Sequence, residues 1–338
     1  MTTLLHAPGA TARPLTRRLG VLAATVTTLA WGGQFAVSKS AFAHLDPVWL
    51  TALRYGAATV VFLVLLVAVE GRAALRPDPD FPRVAGLGVV GFAGFNLLAF
   101  VGLTMTTPQA ASLIVSTMPL ITAFVLWART GSRPSRTTWG SSGVALAGVC
   151  LVLTDGHLGL LLHGGLGWGD LLVLAGAASW VVYTTGAATV PHWSPLRYTA
   201  LSSAAGSVAI LVVALGGTAA GWLTLPTPAD VAATWWQLGY VALVAAVVAV
   251  LCWNGATRVL GAQDAVLFIN LVPVTAFTIE AFHGHVPHGA ELAGAALTLA
   301  ALVANNVLTR RATARNPRSA PVPGPARCET LIPGASAG

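Results

Sequence analysis

Residues Gln109–Pro119 read QAASLIVSTMP, and Gln263–Pro273, 154 positions later, read QDAVLFINLVP. Both copies sit inside long apolar stretches and both end on a proline. One residue out of that register, Thr122-Ala123-Phe124 matches Thr275-Ala276-Phe277, Gly131 matches Gly284, and Pro134 matches Pro287. A strongly hydrophobic chain that repeats itself at half its length has the layout of a membrane protein built from two duplicated halves.

Composition supports the membrane. The 338 residues are 55% hydrophobic and 9% charged, whereas soluble domains carry about 25% charged residues. A bilayer core about 30 Å thick takes about 20 apolar residues per helix. Ten runs meet or approach that length: about 20–43, 47–69, 83–104, 108–128, 138–154, 169–190, 198–218, 232–255, 264–283 and 289–308. They are long and continuous rather than short and alternating, which favours helices over a closed barrel. The expectation is an all-α integral membrane protein with ten transmembrane helices. Its segments are a cytoplasmic lead (1–18), a first five-helix repeat (19–157), a second (158–309) and a basic, Pro- and Ala-rich cytoplasmic tail without order (310–338).

Charge placement orients these helices. Lys39 and Arg54 fall inside spans. With the N-terminus in the cytoplasm, the sixteen other basic residues fall on the cytoplasmic side, and the opposite loops receive none. That is the positive-inside pattern, and it places both termini in the cytoplasm of a cell-membrane protein. The net charge of +7 is thereby a topology signal and an anionic-lipid contact, with no call for nucleic acid. Arg17-Arg18 ahead of an apolar run and Ala41-Phe42-Ala43 has the outline of a cleavable leader. The run is too long for a leader core, so it reads as a retained first span. The three cysteines imply no disulfide framework.

Five spans per repeat is an odd number, so the second copy enters the membrane inverted. The loop after the fourth span carries Arg129, Arg133 and Arg136. Its counterpart after the ninth carries His283, His285 and His288 and no Lys or Arg. Inverted repeats place a substrate site near the midplane, between the halves.

Several segments carry a family resemblance. The first span reads Trp31-Gly32-Gly33-Gln34-Phe35-Ala36-Val37-Ser38-Lys39 and the second contains Leu53-Arg54-Tyr55. The fourth holds Pro119, and the sixth opens Gly169-Asp170 and continues Ser179-Trp180-Val181-Val182-Tyr183. The ninth holds Pro273, and the fifth and tenth have Gly143 and Gly294 near their starts. In order and spacing over residues 18–309 the chain resembles the EamA-type branch of the drug/metabolite transporter superfamily. The resemblance implies a ten-helix carrier or exporter of small organic metabolites with a central cavity lined by both halves. One departure is clear. Where that family often has Gly-Glu pairs after the fourth and ninth spans, this chain has Gly131-Ser132 and Gly284-His285, so no role for those acids transfers.

Candidate site residues follow from polarity inside the spans. Trp31, Gln34 and Ser38 share one face of the first helix, and Trp180, Tyr183 and Thr184 share one face of the sixth. Asn96, Trp253, Asn254 and Asn270 put amides and an indole mid-span, where unsatisfied polar groups are disfavoured. Together they suit an amphipathic organic substrate, although helix–helix hydrogen bonding and packing accounts for any one of them. Ionisable groups at depth cost about 2.5–3.5 kcal/mol each, which singles out Lys39, Arg54 and Glu280. All three fall in the outer third of the membrane by residue count, so an external ion pair or triad that gates or contacts substrate is one reading. A fixed pair, or snorkelling to the interface, is the other. Arg54 reads as structural before it reads as a gate. Pro119 and Pro273 free mid-span carbonyls; symmetric kinks on which the halves rock are one reading and passive curvature is the other. Asp170 suits the positive N-terminus of the sixth helix.

The cluster of His283, His285, His288 and Glu291 has metal-ligating side chains, but such a loop reads first as solvated, so no metal is assigned. No phosphate-cradling G-x-x-x-x-G-K, no H-E-x-x-H and no G-x-S-x-G is present. Secondary transport of a small molecule, without cofactor or enzymatic activity, is the leading expectation. The alternatives are an intramembrane enzyme or lipid-handling protein, and a metal-linked membrane sensor using the histidines. The sequence leaves the oligomeric state open.

Overall fold

The computed structural model describes residues 14–131, 133–154, 156–157, 167–260, 265–284 and 287–315. Most of the lead, the tail beyond Arg315, Ser132 and His285 lie outside the described residues. Every described element is helical.

The helices in chain order are α1 (Pro14–Ala41), α2 (Pro47–Glu70), α3 (Phe81–Thr104), α4a (Pro108–Ser116), α4b (Met118–Thr130) and α5 (Arg136–Leu153). The second half follows with α6 (Trp168–Gly186), α7 (Pro195–Ala219), α8 (Trp235–Leu260), α9 (Val266–Phe282) and α10 (Gly289–Arg315). Starts are written locally. Asp46-Pro47, Thr107-Pro108 and Ser194-Pro195 each pair a capping side chain with a proline at the first helical position. The caps accept from Val48, Ala110 and Arg197 backbone N–H groups respectively. Proline loses nothing there, because that N–H has no partner inside the helix. Stops are local too. Gly131 ends α4b with φ 72° and Gly284 follows α9 with φ 91°, a left-handed conformation that costs glycine little. The two duplicated glycines are therefore matching stops.

Seven helices are long and apolar enough to cross a membrane, or eight if α4a and α4b, bent by 43°, form one broken span. Helices stand in each of the ten apolar segments, but ten crossings are not established. α5 begins with Arg136 and a run of Thr and Ser that dilutes its apolarity, and the apolar helix Phe268–Phe282 in α9 is shorter than a full span.

Packing partners expose the duplication. α2 packs on its counterpart α7, and α5 on its counterpart α10. α1 packs on α8 and α9, while its counterpart α6 packs on α3 and α4. The direction of the two copies is also visible. Arg129, at the end of α4b, donates to Thr185 near the end of α6. Glu280, at the end of α9, acts electrostatically on Lys39 at the end of α1. Lys39 in turn is joined through Thr106 to Asp170, at the start of α6. Helices α4 and α9 thus finish at opposite ends of α6, as inverted copies must.

The irregularities are paired as well. α3 contains a π-helical stretch at Val89–Gly94, and α8 contains one at Tyr240–Val248. α4 breaks at Thr117, just ahead of Pro119, and α9 opens as a 3₁₀ turn at Val266–Asn270, just ahead of Pro273. Breaks of both kinds concentrate at functional sites and rearrange the carbonyls that proline leaves without a donor.

Outward faces are apolar. Val60 and Val64, one turn apart on α2, are each 61% exposed, and Val208 and Val212 on α7 are 63% and 64% exposed. Such stripes suit lipid. Since lipid is as apolar as they are, close packing and interhelical hydrogen bonds hold the bundle together.

Candidate functional site

A cavity of about 420 Å³ lies between the halves. The first repeat lines it with Trp31, Gln34, Arg54, Tyr55, Phe92, Phe95 and Pro119, and the second with Trp180, Ala245, Val250, Trp253 and Val272. Trp31 on α1 and Trp180 on its counterpart α6 stand at similar places in their spans and are used in corresponding ways. Trp31 donates its indole N–H to the Ala245 carbonyl at 3.1 Å, inside the π-helical stretch of α8. Trp180 sets its ring against Phe92 (5.6 Å) and Phe95 (5.5 Å), in and beside the π-helical stretch of α3. Trp253 stands 5.5 Å from Trp31, and Tyr55 stands 5.3 Å from Phe92. The wall is therefore an aromatic box with few polar atoms.

Arg54 is the charged member of that wall. It is 3% exposed. Its Nη2 donates to Gln34 Oε1 at 2.9 Å and its Nη1 reaches Asn96 Oδ1 at 3.5 Å. Its guanidinium also lies 4.9 Å from the Tyr55 ring centroid and 5.2 Å from that of Phe100. Asn96 is fixed in turn by donating to the Phe92 carbonyl at 2.8 Å. Arg54 thus neither snorkels nor joins Lys39 and Glu280 in a triad. Residue counting put it in their layer, but its long side chain lies instead among the amides of α1 and α3.

The other candidates divide by position. Tyr183 sits behind the wall, its hydroxyl 3.1 Å from Ser202 Oγ and its ring stacked on Tyr198 at 5.0 Å. Ser38 is fully buried, and its hydroxyl has no hydrogen-bond partner among the described residues. Asn254 lines a second cavity of about 300 Å³ with Glu70 and Ser194. Asn270 is buried at the break in α9, and Pro273 is buried one residue beyond the lining Val272. Residues that sequence reasoning missed, chiefly Tyr55, Phe92 and Phe95, include two on α3 whose facing depends on the π-helical register. Straight-helix periodicity cannot supply that. The adjacency of Tyr55 to Arg54 was the only usable signal.

Polar ties between the halves flank the cavity. At one end Lys39 Nζ donates to the Thr106 carbonyl, and the Thr106 hydroxyl donates to Asp170 Oδ1 at 2.6 Å. Asp170 also accepts from the Gly167 backbone N–H at 3.1 Å, capping α6. At the other end, Arg197 of the second half pairs with Asp78 at 3.2 Å and donates to the Ala74 and Arg76 carbonyls. Its guanidinium covers the Trp193 ring at 4.0 Å, and the Trp193 indole donates to Asp78 Oδ2 at 2.9 Å. Ser194 bonds Glu70 beside it. Trp31 lies eight residues before Lys39 on α1, about 12 Å of helix, and Trp180 lies six residues before the end of α6, about 9 Å of helix, with Trp193 in the turn beyond it, so the cavity sits between the two ties. Among the described residues no group of three or more metal-ligating side chains is gathered.

A cavity at the junction of inverted halves, with polar ties between the halves on either side of it, is the layout of a membrane transporter. The chain belongs to the EamA-like transporter family, whose model matches twice, over residues 18–154 and 167–307. It is 27% identical over 297 residues to YrdR of Bacillus subtilis (strain 168), named an uncharacterized transporter, covering 87% of this chain and 92% of that protein. It is 26% identical over 311 residues to a protein of Streptantibioticus cattleyicolor named a probable terminal-alkyne amino-acid exporter, covering 90% and 97%. A crystal structure 21% identical to it superposes with a TM-score of 0.62 over 87% of this chain and 98% of that one, a likeness of fold. The protein is a multi-pass membrane transporter.

Proposed function

We propose that this transporter is a secondary exporter of small amphipathic organic metabolites, amino acids or compounds like them, working by alternating access between two inverted repeats of five spans each. The observation that carries this reading is the placement of Trp31 and Trp180. They correspond in the repeats, wall one cavity, and each leans on a π-helical stretch of the other half. Substrate held between them makes contact with both halves, so rocking one half on the other exposes it to either side in turn. Pro119 and Pro273, beside the breaks in α4 and α9, are the hinge positions. The Lys39–Thr106–Asp170 tie and the Arg197–Asp78–Trp193 tie are the two gates. The exporter from Streptantibioticus cattleyicolor favours outward movement, and the arginine distribution favours cytoplasmic termini.

A thermal-shift screen of purified protein against a metabolite panel, followed by flux of the hits into proteoliposomes with and without a proton gradient, tests the reading. Saturable flux of at least one hit is expected. Glu280, beside Lys39, is the carboxylate placed to couple flux to protons. A Glu280→Gln protein that transports with unchanged pH dependence removes that role.

A further inference from the structure

The geometry points to a substrate that carries a carboxylate or equivalent monoanionic group, bound by Arg54, with an apolar or aromatic body held by the tryptophans. This deepens the transport reading and rests on it.

Arginine keeps its proton in any protein environment, so a guanidinium this deep carries a full charge. Among the described residues no carboxylate forms an ion pair with it; its partners are two neutral amides and two ring faces. Its Nε is buried and has no hydrogen-bond partner among the described residues. An uncompensated buried cation is costly, and a structural role would be met at lower cost by a neutral side chain. Gln34 and Asn96 hold the group in one orientation, and Arg54 borders the cavity. A planar guanidinium so fixed matches a carboxylate through paired N–H donors.

The rest of the wall defines the remainder of the ligand. Arg54 is the charged residue among the described cavity-lining side chains, and among the described residues no acid lines the cavity to receive an ammonium. The other large side chains are rings and aliphatics, which bury an apolar body. A cation or a neutral polar molecule leaves the arginine unanswered. A zwitterion answers it but leaves its ammonium with ring faces alone.

Four compounds that share a phenyl body separate these cases: 3-phenylpropionate, its neutral amide, 3-phenylpropylamine and phenylalanine. Thermal shift and proteoliposome flux are measured with each, on the full-length wild-type protein and on Arg54→Gln and Arg54→Lys. The expected result is binding and flux of 3-phenylpropionate at least tenfold tighter than the amide, with the amine weaker still. Arg54→Gln abolishes the preference for acid over amide, and Arg54→Lys retains only part of it, because an ammonium lacks the paired donors. The acid–amide comparison in the wild type needs no variant, so misfolding of Arg54→Gln does not shield the inference. Equal handling of acid and amide overturns it, as does an acid preference that survives in a folded Arg54→Gln. Phenylalanine outcompeting the acid tenfold also overturns it. In each of those cases flux itself upholds the transport reading. If none of the four moves while other members of a metabolite panel do, the inference falls alone. If nothing moves at all, the transport reading falls with it.

Discussion

Gly148 on α5 and Gly294 on α10 meet backbone to backbone: a Cβ on either would lie 2.5 Å from the other's carbonyl oxygen. Thr298 closes the contact, donating to the Ala145 and Gly294 carbonyls at 3.2 and 2.9 Å. These helices are counterparts in the repeat, so the contact lies where the two halves mirror each other. Small residues that let backbones touch are the main means of holding helices together in lipid.

Gly148→Val is expected to destabilise the protein by at least about 1–3 kcal/mol, the usual range for overpacking, because the obstacle is backbone and cannot swing away. Gly143, five residues earlier, has nothing within 4 Å of its missing Cβ. Gly143→Ala is expected to be neutral or to stabilise by up to about 1 kcal/mol through helix propensity. Thermal unfolding in detergent reads both.

Trp31→Ala and Trp180→Ala should each weaken substrate binding more than tenfold, since truncating a buried aromatic anchor costs about 2 kcal/mol or more. Tyr183→Phe should leave affinity within about twofold and cost about 1 kcal/mol of stability, the net worth of one hydrogen bond. Titration of the screened ligand against each purified variant separates wall from support.

The tie around Asp78 predicts a change in opening rather than in binding. Asp78→Asn weakens the pair with Arg197, a part-exposed interaction worth about 1 kcal/mol, and so shifts an opening equilibrium about fivefold. A cysteine at position 254, lining the second cavity beside Glu70 and Ser194, reports this in a background without native cysteines. Its labelling by an aqueous maleimide should accelerate about fivefold when Asp78→Asn is added, with no change in ligand affinity.

Much of this arrangement is written plainly in the sequence, and some of it is not. The repeat at Gln109 and Gln263 and the matched Gly131 and Gly284 stops depend on residue identity at nearly constant spacing, and Trp31 and Trp180 on similar places in the first and sixth spans; these survive into the fold. The surroundings of the Arg54 guanidinium are not legible in the sequence, because depth along a helix says where a Cα lies, not where a long side chain ends. Phe92 and Phe95 are not legible as wall residues, because a π-helical stretch resets which residues share a face. The Arg197–Asp78–Trp193 tie joins residues more than a hundred positions apart, and no local pattern announces it. Gly148 and Gly143 are alike in sequence, two glycines in one helix, and only the partner helix distinguishes them.

The central claim is that the cavity between the halves is where substrate is carried, and proteoliposome flux tests it most directly. Wild-type protein and the folded Trp31→Ala and Trp180→Ala variants are reconstituted and compared for flux of a ligand identified by thermal shift. The account predicts saturable flux in the wild type and a rise of more than tenfold in half-saturating concentration in both variants, one from each half. Wild-type flux that neither variant alters would contradict it, as would a ligand that binds this cavity and never crosses.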